Sequence, residues 1–361
     1  MGRPLNIGIV GAGHISTQYL ATVAKLAPLR VAAVADLDAA RAEAVADAAG
    51  GARALGVQDL LRDEEVDVVL NLTVPAAHAE VALAAIAAGK DVYGEKPLAA
   101  TTEQAREVVA AADAAGVRLG CAPDTVLGTG IQTARKAIDD GLVGAPVAAT
   151  ATMVTPGHER WHPNPDFYYA PGGGPLLDMG PYYVSALVTM LGPVASVIGA
   201  ASHTRSSRTI GSGPRAGQTV PVSTDTHVCG VLVHASGVLS TLVMSFDAVK
   251  TRAPSIEVHG ERGSLVVPDP NYFEGAVELF ELGAADWRRL EVSAGYRDGG
   301  RGIGLLDLAG GGEHVRAGGR LGFHVLDVVE SLLRSAAEGA AVAVHSTCDR
   351  PLPVPLQDLP S

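Results

Sequence analysis

The chain has 361 residues, enough for about two domains at roughly 150 residues each. Apolar residues make up 47% and charged residues 18%, which excludes a disordered chain and is sufficient for real cores. With 27 basic against 39 acidic residues the net charge is −12, which argues against nucleic acid as a partner, and no run reaches the ~18 uninterrupted apolar residues of a membrane span. Cys121, Cys229 and Cys348 are odd in number and far apart, so neither a disulfide framework nor a CxxC metal site is expected. No charged segment with a long apolar run opens the chain, and Asn6 stands where a myristoylated Met1-Gly2 start requires Ser or Thr. A cytoplasmic location is the expectation.

In chain order, apolar runs at 5–10, 30–35, 67–70, 91–93 and 117–120 predict strands. Alanine-rich segments at 15–27, 39–49, 77–88 and 102–115 predict the helices between them, and Gly50-Gly51, Gly89 and Gly116 serve as their stop signals. Strands alternating with helices of this length read as βαβ units on a parallel sheet. After Pro123 the pattern changes. A helix over 130–139 leads into strand runs at 147–154, 194–200, 228–234, 238–246, 256–258, 265–267, 277–280 and 289–292, with one helix, 181–191, early among them. Strands joined by turns as short as Ala235-Ser236-Gly237 predict an antiparallel sheet. Residues 293–322 are glycine-rich and read as long loops. A late helix over 324–337 precedes a proline-rich tail at 350–355. The fold class is therefore α/β, with a doubly wound parallel domain over 1–122 and a second, mostly antiparallel α+β domain over 123–361.

Gly11-Ala12-Gly13-His14-Ile15-Ser16 follows the first strand and opens a helix. That context makes the glycine pattern a dinucleotide-site candidate. Gly11 permits the tight turn and Gly13 lets the backbone approach a pyrophosphate. The helix start at His14 and Ile15 supplies amide donors. Ser16 replaces the third glycine and is still small. Asp36 ends the second strand at the distance expected of an acidic residue that binds a ribose 2′-hydroxyl, which favours NAD over NADP. Its structural alternative is a cap on the helix near Ala39, and Arg41 is placed to swing toward a 2′-phosphate.

Two further strings follow: Asn71-Leu72-Thr73-Val74-Pro75-Ala76-Ala77-His78, and Gly94-Glu95-Lys96-Pro97 after the fourth strand. Later come Gly172-Gly173-Gly174-Pro175-Leu176-Leu177-Asp178-Met179-Gly180-Pro181-Tyr182, Arg301-Gly302-Ile303-Gly304, and His324. In this order they resemble the glucose–fructose oxidoreductase, inositol dehydrogenase and rhizopine-catabolism (Gfo/Idh/MocA) family of oxidoreductases, over essentially the whole chain. The resemblance implies a Rossmann domain followed by a domain with a large open, mostly antiparallel sheet. It also implies a nicotinamide cofactor bordered by Thr73, Pro75, His78, Glu95 and Lys96, and a sugar, cyclitol or sugar-derivative substrate. It further implies a homodimer or homotetramer formed through the open sheet face.

Oxidation of a carbinol requires a base for the alcohol proton as the hydride leaves. Lys96 follows a parallel strand, at the edge where such sheets bind ligands, and its ammonium can stabilise a developing alkoxide. Its structural alternative is a surface pair with Glu95. Asp178 and Tyr182 are four residues apart, so on a helix they share a face. Asp178 can orient the substrate and Tyr182 can exchange the proton. A phenol titrates near ~10 and needs a nearby cation to act near neutrality. The alternatives are a helix N-cap for Asp178 and core packing for Tyr182. Trp161, His162 and Tyr168 suit the faces and edges of a sugar, or else pack a loop onto the sheet.

His158-Glu159-Arg160-Trp161-His162 spells H-E-x-x-H, a zinc signature that needs one continuous helix. Pro156-Gly157 before it and Pro163 and Pro165 after it disfavour that helix, so no metal site is expected. The glycine tracts at 211–217 and 299–319 open no clear helix and are not phosphate loops. His203, His227, His234 and His259 read as sheet residues. The expected function is an NAD(P)-dependent dehydrogenase or reductase acting on CH–OH groups of a sugar or cyclitol. Two alternatives stand beside it. One is an enzyme with tightly bound NAD that oxidises transiently to allow elimination or glycoside cleavage. The other is a non-catalytic NAD- and sugar-binding sensor.

Overall fold

A computed structural model of the chain describes residues 3–310 and 315–360. Met1-Gly2 and part of the glycine-rich 293–322 and 299–319 tracts lie outside those residues. By contacts the chain divides into two compact units. One comprises Met1–Gln132, Ser293–Leu326 and Pro351–Ser361, and the other Thr133–Val292 and Asp327–Arg350. The first unit therefore takes in two late segments that the single cut at 122/123 assigned to the second domain.

The first unit opens as alternating strands and helices: β1 (Leu5–Val10), α1 (Ser16–Val23), β2 (Leu29–Ala35), α2 (Ala39–Ala48), β3 (Arg53–Ala54), α3 (Val57–Arg62), β4 (Val68–Asn71), α4 (Pro75–Ala87), β5 (Asp91–Gly94), α5 (Thr102–Ala115) and β6 (Leu119–Cys121). All pairings are parallel and the strand order is β3-β2-β1-β4-β5-β6, the doubly wound arrangement expected. The central strands are apolar on both faces because helices cover both. Ile7, Ile9, Val34, Val68, Val69 and Leu70 are completely buried. Gly50, Gly89 and Gly116 take positive φ just past their helices, as the stop signals require. β3 and α3 were not predicted, because a two-residue strand and six mixed residues carry too little periodicity.

α6 (Thr129–Asp139) contains the junction between the units. The second unit then runs β7 (Pro146–Val154), α7 (Asp166–Tyr169), α8 (Pro175–Leu191), β8 (Val194–Ser202), β9 (Ser207–Thr209), β10 (Thr219–Pro221), β11 (His227–His234), β12 (Leu239–Ser245), β13 (Ile256–Gly260), β14 (Gly263–Val267), β15 (Glu278–Glu281) and β16 (Arg288–Arg289). The chain finishes with α9 (Ile303–Ala309), α10 (Gly319–Glu338) and β17 (Val342–Ala343). Nine strands form one sheet in the order β16-β15-β14-β13-β7-β12-β11-β8-β17. Every pairing is antiparallel except β7 with β12. One face buries Val197, Val228, Leu232, Leu242, Met244, Ile256, Val258, Leu265 and Leu279. The paired Gly199 and Gly230 lie on this face beneath Leu332 of α10, and a Cβ on either would come within 2.5 Å of a neighbouring atom. The opposite face carries Ile198, Val231, Thr241, Thr150 and Glu257 as one cross-strand row. His203 falls just past β8 rather than within a strand. No helix among the described residues is long and apolar enough to cross a membrane.

Two expectations are corrected. α8 begins at Pro175, not near Pro181. Proline fits the first helical position, and Pro181 is tolerated inside the helix that follows. Residues 293–322 are not one long loop, because they hold α9. The cause is a tie between distant residues. Asp124, fully buried in a 3-10 turn just past β6, accepts the Gly302 N–H at 2.8 Å and the Gly304 N–H at 3.0 Å.

Burial pushes the Asp124 carboxyl up to about 6, and the two backbone N–H bonds oppose that rise. The folded state therefore holds this proton more tightly than the unfolded chain, whose carboxyl titrates near ~3.9. Stability falls as pH rises from about 4 to about 6, and this loss persists above the window. Asp124→Asn keeps an acceptor for both N–H groups and removes this slope. Urea unfolding should show the variant gaining on the wild type between about pH 4.5 and about pH 6.5. An equal difference at both pH values contradicts the assignment.

Candidate active site

The cofactor side is built at the C-terminal ends of the parallel strands. β1 ends at Val10 and the chain turns at Gly11 with φ +103°. A Cβ there would lie 2.7 Å from the Leu72 carbonyl and 2.9 Å from the Thr73 amide nitrogen, so only glycine fits. A Cβ on Gly13 would meet nothing within 4 Å, and that opening lies beside the start of α1. His14 is exposed and Ile15 half-buried at that start. Ser16 is fully buried and its hydroxyl donates to the Gly13 carbonyl at 2.7 Å, so it seals the loop from below.

Asp36 binds the loop to β2. One oxygen accepts the Ala12 N–H at 2.7 Å and the other the Asp38 N–H at 2.9 Å. The helix cap is Asp38, not Asp36, and it accepts from Ala40 and Arg41. Arg41 lies 3.2 Å from the Asp38 carboxylate in an exposed local pair. Leu37 is 102% exposed and Val74 66% exposed, at the ends of β2 and β4. Sequence reasoning passed over both, though an apolar residue directly after the acidic one was the available signal. A tight loop, open space above Gly13, helix-start amides and two exposed apolar side chains together fit a dinucleotide.

The next two turns are tied to each other. The Asn71 side chain accepts the Thr73 hydroxyl at 2.6 Å and donates to the His78 carbonyl at 2.9 Å. Pro75 opens α4. His78, which the resemblance places beside the cofactor, is buried at 2% exposure. Its Nδ1 lies 2.6 Å from the Pro97 carbonyl oxygen and its Nε2 3.0 Å from that of Thr73, so the ring straps the two turns together. Glu95 accepts the Lys96 N–H at 3.1 Å and the Tyr19 hydroxyl at 2.8 Å. Burial, and next Glu95, raise the Tyr19 phenol well above its ordinary value, so it remains a donor.

The remaining site residues lie in the second unit. Asp178 sits in the first turn of α8 and Tyr182 one turn further, the latter 5% exposed. No side chain caps this helix, because its N-cap is Gly174. Residues His158–Arg160 form a short 3-10 turn in place of the continuous helix that a zinc H-E-x-x-H needs. Glu159 is buried and accepts from the Tyr169 hydroxyl, and the Arg208 guanidinium lies 3.5 Å away. Arg208 also donates to Asp247, which accepts the Thr226 hydroxyl at 2.6 Å. The His158 ring packs 4.3 Å from Phe246, 4.6 Å from Tyr168 and 5.2 Å from Trp161. His162 lies 5.4 Å from Trp161 and 5.5 Å from Tyr168. Trp161, His162 and Tyr168 thus form one aromatic cluster, and Asp178 joins it through His158, whose Nδ1 is 3.6 Å from the carboxylate.

Residues 5–122 match the family described as an oxidoreductase family with an NAD-binding Rossmann fold, and residues 131–266 match the GFO/IDH/MocA C-terminal domain. The 1,5-anhydro-D-fructose reductase of Ensifer adhaerens is 32% identical over 264 residues, which is 72% of this chain and 74% of that protein. The chain belongs to the Gfo/Idh/MocA oxidoreductase family. Its N-terminal domain is an NAD-binding Rossmann domain. An inositol 2-dehydrogenase of Paracoccus denitrificans is 46% identical over 118 residues, 32% of this chain and 35% of that protein. The crystal structure of an NAD-binding oxidoreductase from Klebsiella pneumoniae superposes with a TM-score of 0.81 at 25% identity, covering 94% of this chain and 99% of that one.

Arg208 is 2% exposed and holds the turn that carries His158 and Trp161. Removing one partner of a buried ionic group leaves the other charges uncompensated. Arg208→Ala should cost about 3–5 kcal/mol of stability in urea unfolding. A loss below about 1 kcal/mol means that the network is not holding this turn.

Proposed function

We propose that the protein is a cytoplasmic NAD-dependent dehydrogenase or reductase of a sugar or cyclitol, acting on a CH–OH carbon. The observation that carries this reading is that one chain holds a dinucleotide loop and an E-K-P lysine in its first unit and a carboxylate, a tyrosine and an aromatic cluster in its second. Such a set suits a polyol, whose hydroxyls need hydrogen-bond partners and whose C–H faces need rings.

The backbone of Gly11, Gly13, His14 and Ile15 would hold the pyrophosphate, and Asp36 would accept a ribose hydroxyl while repelling a 2′-phosphate. Leu37 and Val74 would flank the adenine, with Thr73, Pro75 and Glu95 lining the approach to Lys96. His78 would support these turns from behind, and Arg41 stands in an exposed pair with Asp38. Bound NAD supplies the hydride acceptor. The Lys96 ammonium hydrogen-bonds the reacting oxygen and stabilises negative charge as its proton leaves. Tyr182, acting as its phenolate, receives that proton, and Asp178 accepts a neighbouring hydroxyl to orient the ring. Trp161, His162 and Tyr168 receive the sugar's faces and edges.

The open face of the nine-stranded sheet supports self-association. Ile198 is 51% exposed and Leu239 48% exposed there, next to Val231, Val233 and Val243. We propose that this face joins copies of the chain in a homodimer or homotetramer.

Reduced-nicotinamide absorbance should rise when NAD and a panel of sugars and cyclitols are added. With the best substrate, Lys96→Met should lower kcat by about 10²–10⁴-fold, and Asp178→Asn and Tyr182→Phe by about tenfold or more. Near-wild-type turnover in Lys96→Met contradicts the mechanism. The same outcome in either other variant removes that residue from it.

A further inference from the structure

The H-E-x-x-H string is the one sequence motif that the proposed chemistry leaves unused, and the structure splits it. Glu159 belongs to a buried frame with Tyr169, Arg208 and Asp247. His158 is held for a different contact. Its backbone N–H donates to the Tyr169 hydroxyl at 3.1 Å. Its ring is set edge-on to Tyr168 at 83° and lies against Phe246 and Trp161. So constrained, Nδ1 points to within 3.6 Å of an Asp178 oxygen, with side chains 11% and 22% exposed. That is an ion-pair distance for a protonated ring, and a closure of a few tenths of an ångström makes it a charge-assisted hydrogen bond. Partial burial leaves such a pair less screened than one at the surface.

We propose that His158 is a positioning residue for Asp178, resting on the reading of function above. The imidazole fixes the direction of the carboxylate. One oxygen then faces His158. This arrangement selects a neutral polyol over an anionic sugar, because a second carboxylate or a phosphate would meet the Asp178 charge. Trp161, 58% exposed beside the same ring, offers its face to C–H groups. The titratable groups around His158 are Asp178 from α8, Tyr168 and Tyr169 from α7, and His162 one turn along. Arg208 pairs with both Glu159 and Asp247.

Two substitutions separate the nitrogen from the ring. His158→Asn keeps a donor near the Nδ1 position, and His158→Phe keeps an aromatic ring without one. His158→Phe should lower kcat/KM by about tenfold to a hundredfold, and His158→Asn by no more than about threefold. In an Asp178→Asn background the Phe substitution should cost less than about twofold. A tolerated Phe with a damaging Asn, or equal penalties in both backgrounds, would overturn the proposal in favour of simple packing. A second measurement needs no turnover. The His158 ring resonance, assigned by its loss in His158→Phe, should titrate about one pH unit lower in Asp178→Asn than in the full wild-type chain, because the partner anion is gone. An unmoved midpoint overturns the pairing whether or not any substrate reacts. A lowered midpoint with no turnover on any polyol leaves the pairing standing and counts against the dehydrogenase reading alone.

Discussion

The Gly11 backbone packs against the Leu72 carbonyl and the Thr73 amide at a distance no side chain would tolerate, and the rest of the cofactor side is assembled from that approach. The next residue, Ala12, donates to Asp36 and so fixes the end of β2 to the end of β1. Asn71 and Thr73 carry the linkage to the end of β4, and His78 bridges from there to Pro97 past the end of β5. Glu95 closes the circuit by accepting from Tyr19 of α1. Four strand ends and the first helix are thus cross-connected by short contacts, several of them to backbone atoms. Lys96 stands on one of these tied turns, which is the preorganisation an electrostatic role requires.

The second unit reaches the same end by a different route. Its site turn is a three-residue 3-10 segment between prolines and glycines, with little helical stability of its own. Buried charge holds it instead. Arg208 comes from a short two-stranded ribbon and joins Glu159 of the turn to Asp247, while its guanidinium lies 5.3 Å over the Tyr169 ring. Three charges out of water are costly unless they satisfy one another, so the network specifies a single arrangement of the turn. The same turn carries His158 against Phe246 and Trp161.

Much of this was legible in the sequence because it is local. The strand and helix periods of the first unit depend on neighbours three or four residues apart, and the glycine loop on six consecutive residues. The strands of the second sheet alternate as a half-covered sheet demands, which is why their positions could be read although the parallel β7–β12 pairing could not. What stayed hidden depends on distant partners. α9 is tethered by Asp124 from another part of the chain, so a glycine-rich stretch looked structureless. Pro181 looked like a helix start because the true one, Pro175, follows three glycines that read as loop. The H-E-x-x-H string was correctly denied a zinc helix, but its two working residues emerge only when Arg208 and Asp178 are brought beside them. His78 gave a motif signal, but its place as a buried strap between two turns needed the Pro97 carbonyl to be in position.

In the function proposed for this chain, hydride passes from a polyol carbon of the substrate to exchangeable NAD. Deuterium placed on the carbinol carbon of the best-reacting polyol follows that transfer. One deuterium should appear in the reduced nicotinamide for each ketone or lactone formed. Label that returns to the sugar, with no net reduced cofactor, would contradict it and point to transient internal oxidation instead.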